Sequence, residues 1–155
     1  MHKHYLQQTI ELASTNVTSQ NGGPYGAIIV KAGKVIAASG NRVTADLDPT
    51  AHAEVMAIRL ACQTLKDFKL KDCILYTSCE PCPMCLGAIY WARLKQVYFA
   101  CNRQDAANAG FDDSFIYDEI PLEPQKRQIK MLHIELPDAI KPFHCWNSKE
   151  NKTLY

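Results

Sequence analysis

Two short stretches of this chain carry residue types that could do chemistry. Cys82 and Cys85 stand three apart within Cys79-Glu80-Pro81-Cys82-Pro83-Met84-Cys85, and His52-Ala53-Glu54 lies 30 residues upstream of the first of them. Imidazole and thiolate are preferred zinc ligands, and a tetrahedral ion takes one nitrogen and two sulfurs readily. The C-x-x-C spacing puts both sulfurs in one helical turn, where the free N–H groups of a helix start favour thiolate over thiol. His52 and Glu54 point about 200° apart around an ideal helix. Side chains of a first turn lean toward the N-terminus, however, so both can converge on a point just beyond the helix end. The expectation is two helices aiming their N-termini at one metal held by His52, Cys82 and Cys85. Three protein ligands leave a fourth position for water, whose pKa zinc lowers toward ~7. Glu54 is the carboxylate placed to take that proton and hand it on.

Four other readings stand beside this one. A C-x-x-C that follows a strand and opens a helix could be a redox dithiol, but that leaves His-Ala-Glu at a second helix start without a role. Cys79 extends the pattern to C-x-x-C-x-x-C, yet an iron–sulfur cluster needs a fourth suitably placed cysteine, and Cys101 is too far along. Cys79 could instead be a fourth zinc ligand, closing the site and making the chain a zinc-stabilised structural module. Glu54 by itself could be a helix-start glutamate that favours the dipole.

These side chains need elements to hold them. Residues 3–21 carry Leu6, Ile10, Ala13 and Val17 on one helical face, and Gly22-Gly23-Pro24 is expected to stop that helix. Ala27–Val30 and Val35–Ala38 read as a hairpin across Lys31-Ala32-Gly33-Lys34. Asp48 or Thr50 can cap the next helix, with Pro49 at its first position and Val55, Ile58, Cys62 and Leu65 on its apolar face. Cys73–Thr77 and Gln96–Ala100 are continuous apolar runs flanking the thiol-bearing helix, which predicts a parallel pair buried on both faces. A short helix is expected near Ser114–Glu119, and Leu132, Ile134 and Leu136 alternate as an edge strand would. The order predicts a three-layer α/β/α fold.

At 155 residues the chain reads as one domain. With 17 basic and 16 acidic residues it lacks the basic excess of a nucleic-acid binder, and Lys126, Arg127 and Lys130 read as a solvated face. No apolar run has membrane-spanning length, and the N-terminus lacks the apolar core of a signal peptide. Seven cysteines without disulfide-scaffold spacing point to a reducing cytoplasm.

His-Ala-Glu followed by Pro-Cys-x-x-Cys is the signature of zinc-dependent nucleobase and nucleoside deaminases. Beyond it, four stretches make the chain resemble bacterial guanine deaminases of the cytidine deaminase superfamily. They are Gly22–Ala27, Asp48–Glu54, Tyr76–Ala92 and Ala109–Tyr117, and the likeness extends to the terminal tyrosine. The resemblance implies a cytidine deaminase-like fold with a five-stranded mixed sheet. It also implies a homodimer that exchanges C-terminal segments, here about residues 138–155, each closing the partner's site. It implies hydrolysis of guanine to xanthine and ammonia by a zinc-held hydroxide, with Glu54 as proton shuttle and Asp113 in contact with the purine. Asp113 alone could equally cap a turn at Ser114. Asn41, at a strand end, can bond the purine edge through donor and acceptor, or be only a turn residue. Tyr25, where the family has phenylalanine, would stack on the base, and Ala53, Trp91 and Tyr155 complete the implied contacts. Phe143 and Trp146 read as packing residues, whereas Tyr155 fits a lid. The runner-up within the superfamily is the tRNA adenosine deaminase, which acts on a base flipped out of RNA. Guanosine, cytosine and triazines are further candidate substrates.

Overall fold

A computed structural model describes residues 1–155. In chain order the elements are α1 (His2–Thr18), β1 (Gly26–Lys31), β2 (Lys34–Gly40), α2 (Val43–Asp46), α3 (Ala53–Leu65), β3 (Cys73–Cys79), α4 (Pro83–Trp91), β4 (Gln96–Cys101), α5 (Arg103–Asn108), α6 (Ser114–Glu119) and α7 (Lys141–Ser148). They form two compact units, Met1–Asp113 and Ser114–Tyr155.

The first unit is built on a mixed sheet in the order β2-β1-β3-β4. β1 pairs antiparallel with β2 and β3, and β3 pairs parallel with β4 through the α4 crossover. The hairpin turns at Ala32-Gly33, both with positive φ (48° and 77°), the pair a type I′ turn requires. Alternation along the strands then divides the core. Ile28, Val30 and Tyr76 face Tyr5 of α1. Ala27, Ile29, Cys73 and Leu75 face Ala57, Ile58 and Ala61 of α3 and Ile89 of α4. A fully buried Ile or Leu contributes about 1.5–3 kcal/mol, so this sandwich fixes where the starts of α3 and α4 lie. Three layers are present, as the sequence predicts.

Several expectations need correction. The sheet has four strands, not five: residues 131–136 are exposed and pair with nothing as a strand. β4 is therefore an edge, and its residues are half-buried or exposed rather than covered on both faces. The buried face of α1 is Tyr5, Thr9, Ala13 and Asn16, not the apolar stripe of the sequence; Ile10 and Val17 are exposed. Thr9 is tolerated inside because its hydroxyl donates to Leu6 O at 2.7 Å. Helix α1 ends at Thr18, with Gln20 rather than a glycine taking the left-handed backbone (φ 57°). His52, not Asp48 or Thr50, is the N-cap of α3. Asp48 instead closes its own turn, accepting from Thr50 N and Oγ1 at 2.8 and 2.7 Å. Helix α5 is an addition to the sequence reading, capped reciprocally by Asn102 and Asp105.

In the second unit no residue is buried. Arg127 organises its loop, donating to the carbonyls of Glu119, Ile120 and Leu122, so that cation is occupied by its own backbone.

Candidate metal centre and its surroundings

His52 and Cys82 occupy equivalent places, each the N-cap of its helix with extended backbone (φ −66°, ψ 152° and φ −66°, ψ 169°). Each accepts the first helical bond through its carbonyl, from Met56 N at 2.9 Å and Leu86 N at 2.8 Å. Neither side chain caps its helix; both are turned to the space between the two helix starts. Pro83 follows at the first helical position, where its missing N–H costs nothing. One turn into α4, fully buried Cys85 completes the set.

His52 Nδ1 lies 3.5 Å from the sulfur of Cys82 and 3.5 Å from that of Cys85. All three donor atoms fall within 4.8 Å of one another. A tetrahedral zinc with Zn–N of about 2.05 Å and Zn–S of about 2.3 Å sets N and S about 3.5–3.6 Å apart. The donor chemistry and the spacing both fit the ion. The Cys82 thiol is pushed down to about 4 by the Cys85 S–H that hydrogen-bonds it and by the His52 ring, against the cost of burial. Cys85 is shifted up by that same bond and by burial. The hydrogen bond that its ring donates to the Cys82 sulfur raises His52. One thiolate is thus ready for a cation, and the other proton is the one metal binding displaces.

Glu54, in the first turn of α3, is 4 % exposed. Burial raises its carboxyl above the usual range, helped by the neighbouring Cys82 and opposed by its own backbone N–H. A carboxyl that holds its proton more tightly suits proton transfer near neutral pH. Asp113 is raised chiefly by its partial burial and then by Cys82, which places it within electrostatic reach of the metal ligands. Tyr25 is half-buried and raised by burial, with Cys79, Glu54, Asp113 and Cys82 adding to the effect. Its ring meets Phe111 edge-on, 5.3 Å between centroids.

The structure therefore gathers His52, Glu54, Cys82, Cys85, Tyr25 and Asp113. Asn41 lies beside Tyr25, its N–H donating to Tyr25 O at 3.0 Å. Its side chain does not offer donor and acceptor alike. The amide oxygen already accepts from Val43 N at 3.1 Å and Gly23 N at 3.4 Å, which uses both lone pairs and leaves the NH₂ group for a ligand. Ala53 is fully buried between the two metal-flanking residues of its own turn, His52 and Glu54. Trp91 is exposed and sits at the opposite end of α4, roughly 13.5 Å along the axis from Cys82 at 1.5 Å per residue. Tyr155 is exposed in the second unit. Cys79 is not a ligand: its thiol donates to Asn102 O at 3.5 Å, and burial raises it to about 11.

Sequence reasoning missed Phe111, Ser78 and Asn16. Ser78 is buried and accepts Gly26 N at 3.0 Å, fixing the strand that leads away from Tyr25. A cavity of about 530 Å³ opens on the far side of Tyr25, lined by Ile10, Ala13, Val17, Cys79, Ala106 and Phe111 among others. None of the metal ligands lines it.

Residues 1–101 match the family described as the cytidine and deoxycytidylate deaminase zinc-binding region. The chain is 53% identical to guanine deaminase of Bacillus subtilis (strain 168) over 154 residues, 99% of each chain. It superposes on the crystal structure of guanine deaminase from Bacillus subtilis with a TM-score of 0.98, covering 100% of this chain and 99% of that one. A tRNA-specific adenosine deaminase of Agrobacterium fabrum (strain C58 / ATCC 33970) is 47% identical over 76 residues, 49% of this chain and 50% of the relative.

Proposed function

The chain belongs to the cytidine and deoxycytidylate deaminase family that shares this zinc-binding region, and we propose that within it the protein hydrolyses guanine to xanthine and ammonia. The observation that carries the reading is a buried proton-transfer carboxyl, Glu54, beside a three-ligand metal set in a chain alike end to end to a guanine deaminase.

His52, Cys82 and Cys85 would hold one zinc ion, which when bound would supply an ionised water at neutral pH. Glu54 accepts a proton from the attacking water and delivers it to the ring nitrogen next to C2. The C2–O bond forms; Glu54 then takes the second water proton from the C2 hydroxyl, which becomes the carbonyl of xanthine, and passes it to the amine as the C2–N bond breaks and ammonia leaves. Asp113 holds the purine and shares these transfers. Tyr25, braced by Phe111, forms a wall against the base. The free NH₂ of Asn41 donates to the acceptor edge of guanine, O6 and N7. Adenine presents its own amino donor there, which this group would meet unpaired. Ala53 and the ring of Tyr155 complete the contacts in this reading, whereas Trp91, at the far end of α4, is not placed to meet a base at the metal ligands of its own chain.

The same reading includes a homodimer that exchanges C-terminal segments, about residues 138–155. Three features support it. Residues 114–155 bury no side chain, although they include Phe115, Ile134, Leu136, Phe143 and Tyr155. The outer edge of β4 has no strand neighbour. The apolar stripe of α1 lines an open cavity.

The test offers the zinc-loaded protein guanine, guanosine, adenine, cytosine and an anticodon stem-loop RNA and follows ammonia. Release from guanine alone is expected. Release from the RNA in its place would move the chain to the adenosine-deaminase reading that the 76-residue match allows.

A further inference from the structure

Asn16 sits in the last turn of α1 and is 8% exposed, an inside position for a polar side chain. Burying an amide costs free energy unless its protons find acceptors. Both do: Nδ2 donates to Gly23 O at 2.8 Å and to Asn41 O at 2.8 Å. Neither bond serves the helix. The end of α1 closes without this side chain, through Ser19 N to Thr15 O, Gln20 N to Val17 O and Asn21 N to Asn16 O. The amide instead ties together two loops that are far apart in sequence.

What those loops carry gives the tie its meaning. Asn41 is held by its N–H on Tyr25 O, by its carbonyl on Asn16, and by its side-chain oxygen on Val43 N and Gly23 N. The packing leaves no slack. A Cβ at Gly40 would come within 2.5 Å of Asn16 Oδ1, and one at Gly22 within 2.3 Å of Asn41 O. Two glycines make the room in which one buried amide bridges the Gly22-Gly23 turn and the end of β2.

We infer that Asn16 is a positioning residue: by bonding the carbonyls of Gly23 and Asn41 it fixes the direction in which the Asn41 amide presents its NH₂ to the substrate. The inference rests on the reading of Asn41 as a purine contact. Asn16 touches no substrate itself. Without it, Asn41 keeps its N–H bond but loses the tether on its carbonyl, and the Gly22-Gly23 turn that helps hold its side-chain oxygen is loosened. A purine bond made alike in ground and transition states then weakens, which raises KM and spares kcat.

The test compares wild type, Asn16→Ala, Asn41→Ala and the double variant, all zinc-loaded, by steady-state kinetics on guanine and by hydrogen exchange. Asn16→Ala is expected to raise KM by about tenfold, the worth of roughly one hydrogen bond, with kcat within about twofold. On the Asn41→Ala background the same change should add almost nothing, because the two residues act in series. Asn16→Gln, which keeps the donor on a longer arm, should recover part of the loss. Independently of substrate, the amides of Asn41 and Val43 should exchange faster in Asn16→Ala while those of β3 do not. Wild-type KM with unchanged exchange would overturn the inference. So would additive penalties in the double variant, or failure of both Asn16 variants to fold, which would make the residue structural. If wild type leaves guanine untouched, the substrate reading falls, and the exchange rates still decide whether Asn16 holds Asn41.

Discussion

Replacing Glu54 by glutamine changes one oxygen to an NH₂ and nothing of shape. It removes the only carboxylate that α3 places beside the metal ligands. General acid–base groups contribute about 10²–10⁴ in rate, or about 2.7–5.4 kcal/mol of barrier at 1.36 kcal/mol per tenfold. The environment argues for the upper half of that range. Glu54 is 4 % exposed, so bulk water cannot readily take over its proton transfers. The fold should not suffer, since a neutral amide avoids the desolvation cost that burial imposes on the carboxylate. The assay is initial-rate xanthine formation on Glu54→Gln protein, with zinc measured by elemental analysis and unfolding followed by calorimetry. The expected result is a kcat lowered by about 10³ or more, one zinc per chain, and a Tm equal to or above wild type. A variant that keeps zinc and turns guanine over at wild-type rate would refute the assignment of Glu54. A variant that no longer folds would make Glu54 a structural residue.

Further outcomes follow from the same geometry. Changing His52, Cys82 or Cys85 to Ala should each abolish stoichiometric zinc binding and bring guanine turnover to background, read by elemental analysis and ammonia release; zinc retained in a Cys85→Ala protein would show another ligand in play. Glycine-to-alanine changes should divide sharply. Gly26→Ala sets a Cβ 2.4 Å from Thr9 O and should cost about 1–3 kcal/mol by overpacking. Gly87→Ala meets nothing within 4 Å and should stabilise α4 by up to about 1 kcal/mol, both read by denaturant titration. Deleting the last few residues, Tyr155 included, should abolish activity while circular dichroism shows the fold retained. Unchanged activity in that truncation would remove the lid from the account.

The chemistry was more legible than the scaffold. His52, Glu54, Cys82 and Cys85 could be grouped from spacing because metal ligation demands particular residue types near helix starts, even though α3 begins after His52 and not at Pro49. The strand–helix–strand unit around α4 was legible because apolar runs and a C-x-x-C turn leave few alternatives. The face of α1 was not. Periodicity favours Leu6, Ile10, Ala13 and Val17, but the sheet takes Tyr5, Thr9, Ala13 and Asn16. A polar residue is preferred inside where its side chain satisfies backbone from a distant loop, and no one-dimensional pattern records that need. The fifth strand failed for a different reason: alternation at Leu132, Ile134 and Leu136 describes a segment able to pair, but the segment stays exposed and leaves the open edge of β4 without a strand neighbour. Asn41 could be singled out in the sequence as a polar residue at a strand end, and the structure puts it beside Tyr25. Its donor-only character depends on Val43 and Gly23 amides that only the folded loop brings to it.

The most direct test of the account strips the protein of metal with a chelator, restores one equivalent of zinc, and follows guanine, xanthine and ammonia at each stage. The account predicts xanthine and ammonia in equal amounts from the zinc-loaded chain, none from the stripped chain, and recovery at one zinc per chain. A zinc-loaded, folded protein that leaves guanine unchanged would contradict it, as would a stripped protein that deaminates at the full rate.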